Sequence, residues 1–505
     1  MSSDETDPTR RSILTGTAGL AACTVTNSPR GKRTGIGLSD PADSGASWLD
    51  TADTALPHSA PGQDRPNVLI IFPDQLRHQA LSRFGNPNIE TPCFDRLCAE
   101  GAALTHAVTP SPVCTPARAA LWTGLYPYAT GTSENGAALP KKVPSIAHSM
   151  RDLGYTANYI GKWHLAGDYL GGWVRPELRA GFVDYFAGRN MGHNYLRSQY
   201  WTDDHPEGLR PEPPDQWEPV YETQLAIDFL ERQKKQEPWL LALSWGPPHP
   251  NGNWPVDWRT GVPEEWMNQV DPDSLTLRGN VPAWIEAPNR DKLGYLDPFG
   301  CRRFLQGYYG SILGLEAEMA RLEQAVRSLG LEEDTLLVFT SDHGEMAGSH
   351  GRYKKGNWHE ESVRVPMSFR WPGTIQPKEL TTPASLLDVF PTVMGLAGGT
   401  PAPDGHGRDL SGLILDDTPI DESVWTGTYI ARKEEGPNQR RALRTPRWKL
   451  GDALYYPELN VLFDLAEDPL EQNNLYFDPN YADVREALEL ELMTHRIRTE
   501  DPELA

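Results

Sequence analysis

Asn67-Val-Leu-Ile-Ile-Phe72 is an unbroken apolar run rich in β-branched residues, set off by Arg65-Pro66. A run of this length and composition reads as a strand buried on both faces, as in the centre of a largely parallel sheet. Comparable runs recur at Tyr155–Ile160, Trp239-Leu-Leu-Ala-Leu-Ser-Trp245 and Thr335-Leu-Leu-Val-Phe-Thr340. Helical segments alternate with them. Thr91 reads as the N-cap of a helix to about Glu100 with Gly101 as its stop, and Ser145 caps one ending near Gly154. Tyr221–Lys235 and Arg302–Leu329 read as two more helices. The alternation predicts an α/β fold, a largely parallel central sheet sandwiched by helices. In such folds ligand groups gather just past the carboxyl ends of the strands, where Asp74, His249 and Asp342 fall.

From about residue 425 the texture changes. Trp448-Lys-Leu-Gly451 and Asn460–Leu465 read as short antiparallel strands, followed by a helix near Ala482–Arg498. The expected organisation is a main α/β domain over residues 64–424 and a smaller C-terminal antiparallel sheet plus helix over 425–505. Ahead of both, Thr9-Arg10-Arg11-Ser-Ile-Leu14 resembles a twin-arginine export motif, and Leu20-Ala-Ala-Cys23 resembles a lipobox in which Cys23 carries a lipid anchor. Residues 1–23 are therefore expected to be an export signal. Residues 24–63, rich in Ser, Thr, Gly, Pro and Asp, are expected to form a flexible tether.

The formal charge of -22 excludes a broadly basic nucleic-acid footprint. It would also repel an anionic substrate, so an anion site needs its own local positive focus. Only 12 of the 47 basic residues are Lys, which makes each Lys in a motif more informative. Five scattered cysteines form no disulfide framework, and Cys93 and Cys98 read as core thiols.

Asp74-Gln75 and Asp342-His343 offer three oxygen donors and an imidazole at two strand ends. Hard oxygens suit Ca²⁺, with Mg²⁺ next, and the histidine admits Mn²⁺. Gly161-Lys-Trp-His164 places Lys162 and His164 two apart after a strand, so both should point the same way. His249 sits in the stiff loop Gly246-Pro-Pro-His-Pro250, and Lys355 precedes Trp358-His-Glu-Glu-Ser-Val-Arg-Val-Pro366. Cys114-Thr-Pro-Ala-Arg118 is a Cys-x-Pro-x-Arg run followed by a helix-forming stretch and Thr123-Gly-Leu-Tyr-Pro127. Taken alone it could be a loop cysteine before a helix start with Pro116 in the first turn.

The order of these motifs resembles the sulfatase family of the alkaline-phosphatase superfamily, from about Arg65 to the C-terminus. The resemblance extends to Leu462–Leu475, which carries Leu-Phe-Asp-Leu-x-x-Asp-Pro-x-Glu-x-x-Asn-Leu. It implies hydrolysis of sulfuric esters, of a sulfated small molecule or glycan. It also implies that a formylglycine-generating enzyme converts Cys114 to 3-oxoalanine, whose hydrate attacks sulfur with one hydroxyl and expels sulfate with the other. On the same basis Asp74, Gln75, Asp342 and His343 bind a divalent metal together with matured Cys114. Arg118 and Lys162 hold the formylglycine hydroxyls, and His164 is the base for sulfate elimination. His249 and Lys355 contact sulfate and the leaving oxygen, with His249 as proton donor.

Two positions depart from the family pattern. Gln75 stands where a second Asp is usual, lowering the ligand charge by one, and Ala117 stands where Ser is usual in the signature. Asp-Gln with Asp-His also resembles the related phosphonate monoester hydrolases and phosphodiesterases, the alternative activity. A third reading is a non-catalytic binder of sulfated glycans with an unconverted Cys114. Trp173, His193, Tyr195, Tyr200, Trp201 and His205, in the stretch Asp168–Glu218, are expected to shape the leaving-group pocket.

Overall fold

The computed structural model describes residues 65–504 apart from 168–171, 209–215, 234–236, 251–260, 287–299, 401–403, 421–424 and 427–439. The expected signal and tether, with Arg10, Arg11 and Cys23, lie outside the described residues.

The strands in chain order are β1 (Asn67–Ile71), β2 (Ala102–Leu104), β3 (Ala107–Val108), β4 (Thr156–Lys162), β5 (Tyr185–Arg189), β6 (Trp239–Ser244) and β7 (Thr335–Phe339). They continue as β8 (Ser368–Arg370), β9 (Lys378–Leu380), β10 (Ala384–Ser385), β11 (Trp425–Thr426), β12 (Arg440–Arg444), β13 (Trp448–Ala453) and β14 (Val461–Asp464). Eight of them form one sheet in the order β5-β4-β6-β1-β7-β8-β2-β9. The strands from β5 through β7 are all parallel, with Leu69 beside Leu241 and Leu337. β8 runs antiparallel to β7 and to β2. The sheet is thus largely parallel, as its apolar strands imply.

β1 is buried throughout because it feeds two cores. Val68, Ile70 and Phe72 point into one hydrophobic cluster, and Leu69 and Ile71 into the other. This alternation is why the run from Val68 to Phe72 contains no polar residue: neither face reaches water.

The helices differ from expectation in detail. The helix expected over Tyr221–Lys235 spans Glu218–Arg232, with Pro219 in its first turn, where a missing N–H costs nothing. Ser145 does cap Ile146–Asp152 by accepting from His148 N–H at 3.4 Å. Thr91 holds the N-cap position of Pro92–Ala99, but its hydroxyl donates to Asp95 Oδ1 at 2.9 Å rather than accepting from the helix. The carboxylate of Glu316, on the long helix Cys301–Ser328, takes the exposed N–H groups of Cys93 and Phe94 instead. Cys93, Cys98, Cys114 and Cys301 are buried and none is in a disulfide among the described residues, and burial pushes the Cys98 thiol up to about 12.

The C-terminal sheet is antiparallel in the order β11-β12-β13-β14, flanked by the helix Ala482–Arg498. Leu443, Leu450, Leu462, Leu488 and Leu492 pack with Ala120, Tyr126 and Leu387 in one cluster. β12 was not anticipated, because Arg440-Arg-Ala-Leu-Arg444 shows no apolar alternation. Arg441 and Arg444 are buried on partners from distant segments. Arg441 forms a bidentate pair with Asp501 at 2.6 Å, and Arg444 pairs with Glu360 at 3.2 Å.

Candidate active site

Strand order builds the site. β4, β6, β1 and β7 are consecutive neighbours in the sheet, so their carboxyl ends meet along one edge. Lys162 ends β4, Asp74 follows β1, His249 follows β6, and Asp342 and His343 follow β7. Asp74 and His249 are also tied through the backbone, His249 N–H donating to Asp74 O at 3.1 Å. Gly161 makes the close approach of β4 to β6 feasible. It has φ of +107°, and a Cβ there would lie 2.1 Å from Ser244 O.

Cys114 is the first residue of the helix Cys114–Thr123, with Sγ 3.2 Å from His343 Nε2 and 3.7 Å from Asp74 Oδ1. One ligand atom from each of Asp74, Cys114, Asp342 and His343 lies within 4.8 Å of the others, and all four residues are buried. One turn along the helix, Arg118 is fully buried and cross-links the strand ends. Its Nε donates to Asp342 Oδ2 at 3.1 Å and Nη2 to Asp74 Oδ2 at 3.3 Å. Its Nη1 donates to Lys162 O at 2.6 Å and Ser244 Oγ at 2.8 Å. Four of the five guanidinium donors are thereby used.

Lys162 Nζ donates to Asp74 Oδ2. His164, at φ 59°, leaves the strand conformation, so the two residues meet the site by a backbone turn and not by strand alternation. Its ring interacts with Cys114, and its Nδ1 is buried with no hydrogen-bond partner among the described residues. His249 Nδ1–H donates to Pro250 O at 2.7 Å, leaving Nε2 for other chemistry. Gln75 sits in the same place but is differently engaged. Its amide oxygen accepts from Lys355 Nζ, and its amide nitrogen donates to Glu345. Every residue expected to bind the metal or to act in catalysis therefore lies in this one cluster.

Residues 66–399 match the sulfatase family, and residues 348–498 match the C-terminal region of N-sulphoglucosamine sulphohydrolases. The ulvan-active sulfatase of Formosa agariphila is 33% identical over 437 residues, covering 85% of this chain and 80% of that protein. The endo-4-O-sulfatase of Bacteroides thetaiotaomicron is 27% identical over 499 residues, covering 87% and 93%. A crystal structure of a sulfatase homologue from Bacteroides fragilis superposes with a TM-score of 0.75 at 28% identity, covering 88% of this chain and 98% of that one.

The chain belongs to the sulfatase family.

It is a sulfuric ester hydrolase with an alkaline-phosphatase-like fold, and the non-catalytic reading falls away. The electrostatics of this sulfatase are set by two buried carboxylates among three cations. Burial pushes Asp74 up, but Lys162, His249, Arg118 and Lys355 outweigh it and hold its carboxyl well below the usual range. Burial and the Asp74 charge push the neighbouring Asp342 up. Burial and Asp74 would also raise the Cys114 thiol, yet Lys162, Lys355 and His343 hold it well below the ordinary thiol value. Arg118, Lys162 and Lys355 supply the positive focus that the overall charge requires.

The sequence reading missed two members of the sulfatase site. Ser244, the last residue of β6, anchors Arg118. Glu345 is a buried carboxylate accepting from Ala347 N–H at 2.9 Å, Lys354 N–H at 2.6 Å and the Gln75 amide. Its position three residues past Asp342 was the available signal. His193, expected to shape the leaving-group pocket, stacks its ring on His249. Of the other expected pocket aromatics, Tyr195 lies beside His193, and with His249, Val262 and Phe304 it lines a small cleft. Tyr200 is instead a core residue whose hydroxyl donates to Glu222. His205 is half-buried and faces Glu207.

Proposed function

We propose that the protein hydrolyses sulfate esters of a carbohydrate through a formylglycine made from Cys114 and a divalent cation, Ca²⁺ in first place. What supports this is the convergence of Asp74, Cys114, Asp342 and His343 within 4.8 Å in a sulfatase-family chain. The donor chemistry fits a hard cation: two buried carboxylates face one another, and burial and Asp74 already disfavour ionised Asp342. Asp74, Asp342 and His343 would hold the ion, with the matured side chain at 114 as a further ligand. Gln75 is the weakest of the expected ligands, since its amide oxygen is bound by Lys355. When bound, the cation would supply charge stabilisation at a sulfate oxygen.

The aldehyde hydrate at position 114 would supply two geminal hydroxyls, one to attack sulfur and one to release sulfate. Lys162 and Arg118 offset the negative charge around it. The ring of His164 next to Cys114 carries a buried, unpartnered Nδ1, which suits it to take the proton when sulfate leaves. Lys355 lies on the Gln75 side of the site, where it would bind a sulfate oxygen. His249, held through Nδ1 by Pro250 O, would pass a proton from Nε2 to the leaving oxygen. A sugar alkoxide is a poor leaving group, so this proton matters.

A carbohydrate substrate is suggested by the relatives active on ulvan and as an endo-4-O-sulfatase. The proposal includes maturation by a formylglycine-generating enzyme in the cytoplasm, followed by twin-arginine export and lipid anchoring at Cys23. Mass spectrometry of the peptide containing Cys114, with parallel turnover of an aryl sulfate and a phosphodiester, tests the reading. A converted Cys114 and preferred sulfate turnover are expected. Active enzyme with unmodified Cys114, or preferred phosphodiester turnover, would overturn it.

A further inference from the structure

Among the described residues, one hydrogen bond holds the His249 ring in its own plane, Nδ1–H to the carbonyl of the next residue, Pro250. That bond leaves the ring free to tilt. The second restraint comes from another part of the chain. The His193 ring lies against the His249 ring with centroids 3.9 Å apart and planes 10° from parallel. His193 is itself fixed. Tyr195 OH donates to Gly246 O at 3.1 Å, so toward His193 it can only accept, and His193 Nδ1 at 3.0 Å must carry the hydrogen.

Behind this pair the structure is close-packed. Tyr195 is 2% exposed, and a Cβ on Gly246 would lie 2.5 Å from its Cε1. The Arg189 guanidinium lies 5.7 Å from the Tyr195 ring centroid and is held by Glu218 at 2.5 Å. Glu218 N–H in turn donates to Tyr195 O at 2.7 Å. Burial, with His249 and Lys162 nearby, keeps His193 neutral. A neutral ring face adds no positive charge beside His249, which must carry a proton on both nitrogens before Nε2 donates it, and the Asp74 charge favours that protonated form.

We propose that His193 is a positioning residue for His249: its ring, locked by the Tyr195 hydroxyl, holds the imidazole at the angle from which Nε2 reaches the leaving oxygen. The inference rests on the reading of His249 as proton donor. It predicts a defect that grows with the basicity of the leaving group, because only poor leaving groups need the proton.

The test compares His193→Ala, His193→Phe and His249→Ala in the matured enzyme, on 4-nitrophenyl sulfate and on an unactivated alkyl sulfate. A small misplacement of a reacting group can cost on the order of 100-fold, so His193→Ala should lower kcat on the alkyl sulfate by roughly 10- to 100-fold. With the aryl sulfate the same variant should stay within about threefold of wild type, since a good leaving group departs without the proton. KM should change little on either substrate. His193→Phe keeps a flat ring against His249 and should recover most of the alkyl sulfate activity. Equal losses on both substrates, or no loss, in His193→Ala while His249→Ala shows the selective defect would overturn the positioning role alone. Absence of the selective defect in His249→Ala would overturn the proton-donor reading and this inference with it. If His193→Ala fails to fold, the phenylalanine variant decides: near wild-type activity on both substrates supports the stack, and loss on both overturns it.

Discussion

Asp342→Asn separates a metal ligand from a structural carboxylate, because the two roles predict losses in different measurements. Asp342 Oδ1 accepts from Gln75 N–H and His343 N–H, each at 2.9 Å, and Oδ2 accepts from Arg118 Nε. In the metal-free protein its charge faces the Asp74 carboxylate, and burial with that charge already pushes it up. Removing the charge relieves this repulsion. Arg118 keeps Asp74, Lys162 O and Ser244, so no buried cation is stranded. The stripped variant should therefore melt near the midpoint of stripped wild type, the relieved repulsion offset by an amide NH2 that meets an N–H donor in either orientation.

Cation binding weakens. A divalent cation about 4 Å from a unit charge is worth about 8 kcal/mol at an effective dielectric constant near 20. The amide oxygen that remains returns part of the interaction, so a net loss of roughly 3–4 kcal/mol is expected, or about 10²- to 10³-fold in affinity. The assay is calorimetric titration of Ca²⁺ into chelator-stripped wild type and variant, with the thermal midpoint of each stripped protein. Unchanged calcium affinity in a variant that melts well below wild type would refute the ligand assignment and make Asp342 a structural residue.

Cys114→Ser should lower multiple turnover by several orders of magnitude while leaving the circular dichroism spectrum unchanged, since a single hydroxyl can accept sulfate but cannot release it by forming a carbonyl; turnover near wild type by the purified variant would rule out the mechanism. Glu361 is buried against Arg278 and Asn280, and despite the opposing effect of burial they hold its carboxyl at about 2. A folded value below the unfolded one gives stability that is present above about pH 4.5 and is lost as pH falls toward 2. Glu361→Gln should therefore flatten part of the fall in urea midpoint between pH 5 and pH 2.5, and an unchanged slope would count against the pairing. Changing Arg10 and Arg11 together to Lys should trap active enzyme inside the cell, and Cys23→Ala should release a membrane-bound enzyme into the soluble fraction; identical fractionation of both variants and wild type would discard the export reading.

The sequence by itself determined the local elements and the chemical inventory. β1, β6 and β7 were legible because strands buried on both faces are apolar along almost their whole length, and the long helix because its period is local. Cys114, Arg118 and the Asp-Gln, Lys-x-His and Asp-His groups were legible as motifs, each within a few positions of a strand or helix end. Tertiary structure decided what local spacing cannot carry. The order β4-β6-β1-β7 brings Asp74 against Asp342 across 268 positions, and no periodicity encodes which parallel strands become neighbours. β12 stayed hidden because Arg441 and Arg444 look like surface residues until Asp501 and Glu360 arrive to bury them. Gln75 looked like a plain metal ligand until Lys355 and Glu345, 280 and 270 residues away, claimed its amide. His193 is the same case: its importance lies in a ring stack on a loop from another strand end. A buried polar group must be satisfied by whatever the fold places beside it, so its partner, and hence its role, is a property of the packed chain rather than of the residues around it in sequence.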